Sequence, residues 1–95
     1  MLKTIYVAVM AGALGVALLP VQTARAAGPE FCRDYARAAE AQVRGGLEHR
    51  RCADGMRGPE WSPEYRVHFD WCLGATREEA DRQRERRRVY LDRCR

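Results

Sequence analysis

Two kinds of patterning divide the chain. From Ile5 to Leu19 the residues are uncharged and mainly Ala, Val, Leu, Ile and Gly. Beyond Ala27 no such run recurs, and apolar residues are spaced at helical intervals among many charges. Cys32, Tyr35, Ala36, Ala39, Val43 and Leu47 fall on one stripe at i, i+3 and i+4 spacing, which predicts a helix over about 31–50. Pro29 and Glu30 suit its first turn, and Arg50 and Arg51 its carbonyl end. Gly45-Gly46 either weakens this helix, by about 1 kcal/mol per glycine relative to Ala, or lets another element approach closely.

Gly55, Gly58 and Pro59 mark residues 53–61 as loop. Ser62-Pro63 then reads as an N-cap with proline at the first helical position, predicting a helix over 63–73. That helix sets Tyr65, Phe69, Cys72 and Leu73 on one side and ends at Gly74. Thr76-Arg77-Glu78-Glu79 is a capping box, opening a third helix expected over 77–93. Its inward stripe would be Ala80, Gln83, Arg87, Tyr90 or Leu91, and Cys94, so its middle offers almost no apolar surface. Its Glu/Asp–Arg neighbours at i+3 and i+4 add a few tenths of a kcal/mol each. The pattern as a whole predicts an all-α, three-helix domain.

The uncharged run changes the expected compartment. Lys3 precedes it, Pro20 ends it, and Ala24-Arg25-Ala26 places small residues where a signal peptidase reads them. Residues 1–26 are therefore expected to be a signal peptide cut after Ala26, leaving 27–95 as an exported domain, periplasmic or secreted. A retained tether is the alternative, but the run holds 15 residues where a bilayer span takes about 20. No stable transmembrane helix is expected in the mature part.

Without residues 1–26 the 95-residue chain retains 69. Lys3 and Arg25 leave with the segment, so 15 basic residues, all arginine, face 13 acidic ones, and the formal net charge falls from +4 to about +2. A charge this balanced does not point to nucleic acid. A chain of this size buries only about 60% of its unfolded surface, so a thin core needs further cross-linking.

Cys32, Cys52, Cys72 and Cys94 supply the means. An even count in a small chain with an export signal reads as two disulfides. Cys32 and Cys52 would sit at opposite ends of about 30 Å of helix, as would Cys72 and Cys94, whereas bonded cysteines need Cα atoms within about 7 Å. Sequential helices with modest loops usually run antiparallel, which favours Cys32–Cys72 with Cys52–Cys94; a nested hairpin would give Cys32–Cys94 with Cys52–Cys72. A metal-binding alternative uses His49, Cys52, His68 and Cys72, since His49-x2-Cys52 and His68-x3-Cys72 have ligand-like spacing. No other cofactor is expected.

Two groups are candidates for a binding surface. Trp61, Tyr65, His68 and Trp71 crowd around the second helix and make a recognition patch if Trp71 is exposed, or complete the core if it is not. Arg82, Arg84, Arg86, Arg87 and Arg88 form the densest basic stretch, interleaved with acids. They read as a solvated, ion-paired helix or as a site for anionic envelope components. The patch worth testing is Trp61, His68, Trp71, Arg84, Arg87 and Arg88. Catalysis lacks a constellation: paired cysteines leave no thiolate, Ser62 serves as a cap, and no G-x-S-x-G or H-E-x-x-H occurs, so no enzyme is expected.

The run Cys32-x2-Tyr35-Ala36-x5-Gln42, followed by Cys52, Trp61 and His68-x2-Trp71-Cys72, resembles a group of short exported bacterial proteins with this cysteine, tryptophan and histidine framework. The resemblance spans Phe31 to Cys94 and implies a class and a compartment. It carries no catalytic or ligand-binding role. The expectation it supports is a non-enzymatic exported module, structural or protein-binding, whose partner is another envelope protein or an anionic envelope component.

Overall fold

The computed structural model describes residues 25–95; of the expected leader over 1–26, all but Arg25 and Ala26 lies outside the described residues. The elements are α1 (Pro29–Leu47), the single turn α2 (Arg50–Ala53), a 3-10 turn η1 (Pro59–Trp61), α3 (Tyr65–Leu73) and α4 (Arg77–Cys94). The fold is all-α and disulfide-stapled. Its one extended pairing among the described residues is an isolated antiparallel bridge between Ala26 and Thr76. Beside it, the buried Ala27 donates its backbone N–H to the Ala75 carbonyl at 2.7 Å.

α1 and α4 follow the predicted periodicity, with local differences at their ends, whereas on α3 the buried face is shifted from the predicted one, with His68 buried and Leu73 exposed. On α1, Cys32, Tyr35, Ala36, Ala39 and Val43 are buried as the stripe requires. The helix starts at Pro29 and stops at Leu47, earlier than the expected Arg50, because His49 is extended (φ −111°, ψ 115°) and turns the chain into α2. Gly46 rather than Leu47 completes the buried stripe, and Leu47 is 45% exposed. A Cβ on Gly46 would lie 2.6 Å from Leu91 Cδ2 and 3.0 Å from Met56 Cε, so the absence of a side chain lets α4 and the loop close on this end of α1. Gly45 meets nothing within 4 Å and has no such role.

The second helix begins two residues later than predicted. Ser62 ends η1 with extended backbone (φ −66°, ψ 139°), so Pro63 is not the first helical residue and Glu64 is the N-cap. The Ser62 hydroxyl still accepts a local backbone bond, from the Glu64 N–H at 3.0 Å. On α3 the buried side chains are His68 and Cys72; Tyr65 and Phe69 are half-buried and stack on each other at 5.8 Å, and Leu73 points outward. The helix ends at Gly74 as expected. The Thr76 capping box forms in full: Glu79 N–H donates to Thr76 Oγ1 at 3.0 Å, and Thr76 N–H to Glu79 Oε1 at 2.8 Å. Helix α4 then runs to Cys94.

α1 packs against both α3 and α4. Cys32–Cys72 joins α1 to α3 with Cα atoms 5.5 Å apart, and Cys52–Cys94 joins α2 to the end of α4 at 5.1 Å. No cysteine is left free. Of the two pairings open from the sequence, this is the one that antiparallel succession favours; the nested alternative is excluded. Around the first bridge the core consists of Ala27, Tyr35, Ala39 and Ala80, flanked by Phe31 and Phe69.

Candidate functional site

The middle of α4 faces α1 with an arginine. Ala80 and Leu91 are buried at either end of the inward stripe, and between them Arg87 is only 1% exposed. It is the largest fully buried side chain described. Its Nε donates to Gln42 Oε1 at 2.8 Å, and Nη2 to Tyr35 Oη at 2.9 Å, both on α1. Nη1 faces the Glu60 carbonyl of η1 at 3.4 Å. The guanidinium also lies 5.3 Å from the Tyr35 ring centroid. All three oxygen partners are neutral groups, and no carboxylate among the described residues lies within ion-pair distance of it. A charge taken from water normally finds a counter-charge, because neutral acceptors replace hydration only in part.

A cavity of about 90 Å³ opens beside this guanidinium. Its walls include Tyr35, Pro59, His68 and Gln83, and its rim includes Val67 and Trp71. Trp71 is 44% exposed although its ring lies 5.6 Å from that of Tyr35. It therefore belongs to the surface rather than completing the core. Val67, one helical turn earlier, is exposed too, so the two present a short apolar strip at the mouth.

His68 forms part of the wall. Its Nε2 donates to the Ser62 carbonyl at 2.7 Å, an arrangement that fixes the tautomer, since a carbonyl can only accept. Nδ1 of the neutral ring is then an acceptor. The His68 pKa is lowered from the ordinary value: burial disfavours the imidazolium most, and the Arg87 charge adds to this. The Ser62 hydrogen bond and the Glu40 charge work in the opposite direction.

Of the candidate patch, His68, Trp71 and Arg87 meet at this cavity. Arg84 is half-buried nearby, 5.8 Å from the Tyr35 ring centroid, and its backbone carbonyl accepts from Gln42 Nε2 at 3.2 Å. Its Nε is buried without a hydrogen-bond partner. Trp61 lies instead against Tyr90, ring centroids 5.0 Å apart, where Tyr90 donates to the Cys52 carbonyl at 2.7 Å. Arg88 is exposed and engaged by Glu85 and Asp92, and its hydrogen bond holds the Glu85 carboxyl below the usual range. Arg82 and Arg86 are exposed, with Arg86 donating to Gln83.

The metal-binding alternative is not assembled. Cys72 is bonded to Cys32 and Cys52 to Cys94, while His49 is exposed at the start of α2 and His68 is held by Ser62. Among the described residues no three His, Cys, Asp or Glu side chains gather as a set able to hold a metal ion. None of the described helices is long and apolar enough to cross a membrane.

Sequence periodicity placed Arg87 on the inward stripe but left its partners unread. Gln42 stood only as part of the framework motif, and neither the Tyr35 hydroxyl nor the Glu60 carbonyl carries a sequence signal for this role. The signal that could have found Val67 is its spacing, four residues before Trp71 on one helix. Comparison with family models, curated proteins and solved structures finds no match to this chain.

Proposed function

We propose that the chain is an exported, non-enzymatic module of the structural or protein-binding kind, which works outside the reducing interior and presents the α1–α3–α4 cleft as its contact surface. The observation that carries this reading is the closure of all four cysteines into two bridges across a thin core. Such bonds persist in oxidising compartments, and small exported domains depend on them. The uncharged run from Ile5 to Leu19 and the Ala24-Arg25-Ala26 motif supply a route to that compartment. The resemblance to short exported bacterial proteins supports the same class. An exposed tryptophan at the mouth of a cleft supports a contact role, because tryptophan is enriched where binding energy concentrates.

The test is the intact mass of the full chain expressed in a bacterium and fractionated by compartment. The expected species lies outside the cytoplasm, starts at Ala27, is four hydrogens lighter than the all-thiol form and resists alkylation. A full-length cytoplasmic species with reactive thiols would overturn the reading.

A further inference from the structure

Arg87 has more hydrogen-bonding capacity than the protein uses. A guanidinium carries five N–H groups. Three acceptors face it, and the Glu60 carbonyl, at 3.4 Å, is at the limit of a hydrogen bond. Two N–H groups are left over on a side chain that is 1% exposed and has no counter-carboxylate. Arg87 lines the cavity together with Tyr35, His68, Val67 and Trp71. Arg84 does not line this cavity, but its guanidinium lies 5.8 Å from the centroid of the same Tyr35 ring and its Nε is buried and unpartnered.

We infer that this cleft is a binding site for a small organic carboxylate with a flat apolar body. This inference rests on reading the cleft as the contact surface of the domain. Paired N–H groups of a guanidinium match a planar two-oxygen group, and charge-assisted bonds of this type are the strong ones. A carboxylate there supplies the missing counter-charge to Arg87. The cavity of about 90 Å³ is small against the roughly 300–1,000 Å³ of sites for drug-sized molecules, so it admits a carboxylate and a few carbons. The rest of the ligand lies against the exposed Trp71 and Val67. Neutral His68 offers Nδ1 as an acceptor, which suits a ligand that also carries a hydroxyl. Glu60 shares the rim, but its carboxylate is turned back over Gly58, where an added Cβ would meet Oε1 at 2.8 Å. Apolar walls and a planar donor pair favour a carboxylate over a phosphate, whose charge is more strongly hydrated.

Phenylacetate is the probe. In titrations of the oxidised protein followed by the indole N–H of Trp71 and the Nε–H of Arg87 in NMR spectra, it should shift both signals saturably. Phenylacetamide, equal in shape but uncharged, should bind at least about tenfold more weakly, because it forfeits the charge-assisted pair. Inorganic phosphate at equal concentration should not compete. Val67→Glu places a negative charge at an exposed rim position and should weaken phenylacetate binding with the near-ultraviolet circular dichroism unchanged; Trp71→Ala should weaken it by removing the wall. Absence of saturable shifts, equal binding of phenylacetamide, competition by phosphate, or undiminished affinity in Val67→Glu would each overturn the inference. Phenylacetate binding by a chain that stays cytoplasmic would sink export and leave the site standing; an exported, thiol-free protein that ignores phenylacetate would do the reverse.

Discussion

α1 and α4 are nearly equal in length and lie against each other, yet they are held by different physics. α1 buries an unbroken stripe of Cys32, Tyr35, Ala36, Ala39, Val43 and Gly46, so removal of mainly apolar surface from water stabilises its position. α4 buries only Ala80, Arg87 and Leu91, and its centre is polar. Its position depends on one arginine threaded between Tyr35 and Gln42, on the capping box at Thr76 and on the covalent link at Cys94. A hydrophobic stripe tolerates small shifts, since dispersion and burial are non-directional. A hydrogen-bonded arginine does not, since its acceptors lie in fixed directions. α1 is therefore the scaffold, and α4 is seated on it in one register.

This contrast can be broken most severely at the bridges. Opening Cys52–Cys94, which spans 42 residues, should cost about 4 kcal/mol on loop entropy alone. In Cys52→Ser/Cys94→Ser the signal of Tyr90 and Trp61 in near-ultraviolet circular dichroism should collapse, while the far-ultraviolet helix signal of α1 largely persists. Unchanged near-ultraviolet spectra would show that α4 is held without the bridge.

Next in size is the seat of α4. Arg87→Ala leaves the Tyr35 hydroxyl and Gln42 amide without their partner and opens a void, and is expected to cost about 3 kcal/mol in urea unfolding. Arg87→Met fills most of the space and removes the buried charge, so it should cost clearly less. If both variants were as stable as the parent, the polar seat would not contribute to stability. Thr76→Ala removes the N-cap and should lower stability by about 1 kcal/mol.

The glycine pair gives a smaller and signed test on α1. Gly45→Ala meets open space and should gain up to about 1 kcal/mol from helix propensity. Gly46→Ala should lose that gain to the clash with Leu91 and Met56. Equal effects at the two positions would contradict close packing at Gly46.

The pH dependence of His68 is a direction rather than a size. Its folded-state pKa lies below the unfolded value near 6.5, so the unfolded chain binds the proton first on acidification. The contribution of His68 to stability should be complete above about pH 6.5 and should fall as the pH drops from there through the folded-state pKa. The urea midpoint should decline over that window in the parent protein, and the decline should be shallower in His68→Gln. A midpoint independent of pH there would contradict the burial of the ring.

Most of the architecture was legible because periodicity, caps and cysteine spacing are local or nearly local signals. The stripe of α1, the Gly74 stop and the Thr76 box each needed a window of a few residues. Where the structure departs from the local pattern, the deciding partner is remote in sequence. Leu47 and Gly46 are adjacent on α1, and only the approach of Leu91 and Met56 selects the one without a side chain. Ser62-Pro63 has the composition of a helix start, but η1 claims Ser62, and His68 takes its carbonyl. The cleft was legible in pieces: His68, Trp71 and Arg87 were singled out together with Trp61 and Arg88, which point elsewhere. Helical spacing gives a residue its face, but it does not say which neighbour that face will meet.

By itself, then, the sequence determined an all-α domain of three main helices, one of them with an apolar-poor middle, and cysteines placed so that intact helices forbid sequential pairing. These follow from helical repeat and rise, which are the same in any fold. Only the tertiary structure decided between the two remaining disulfide pairings, exposed Trp71, and buried Arg87 among Gln42, Tyr35 and the Glu60 carbonyl. Those outcomes depend on contacts across about 27 to 52 residues of chain, where burial and hydrogen-bond direction select the partner.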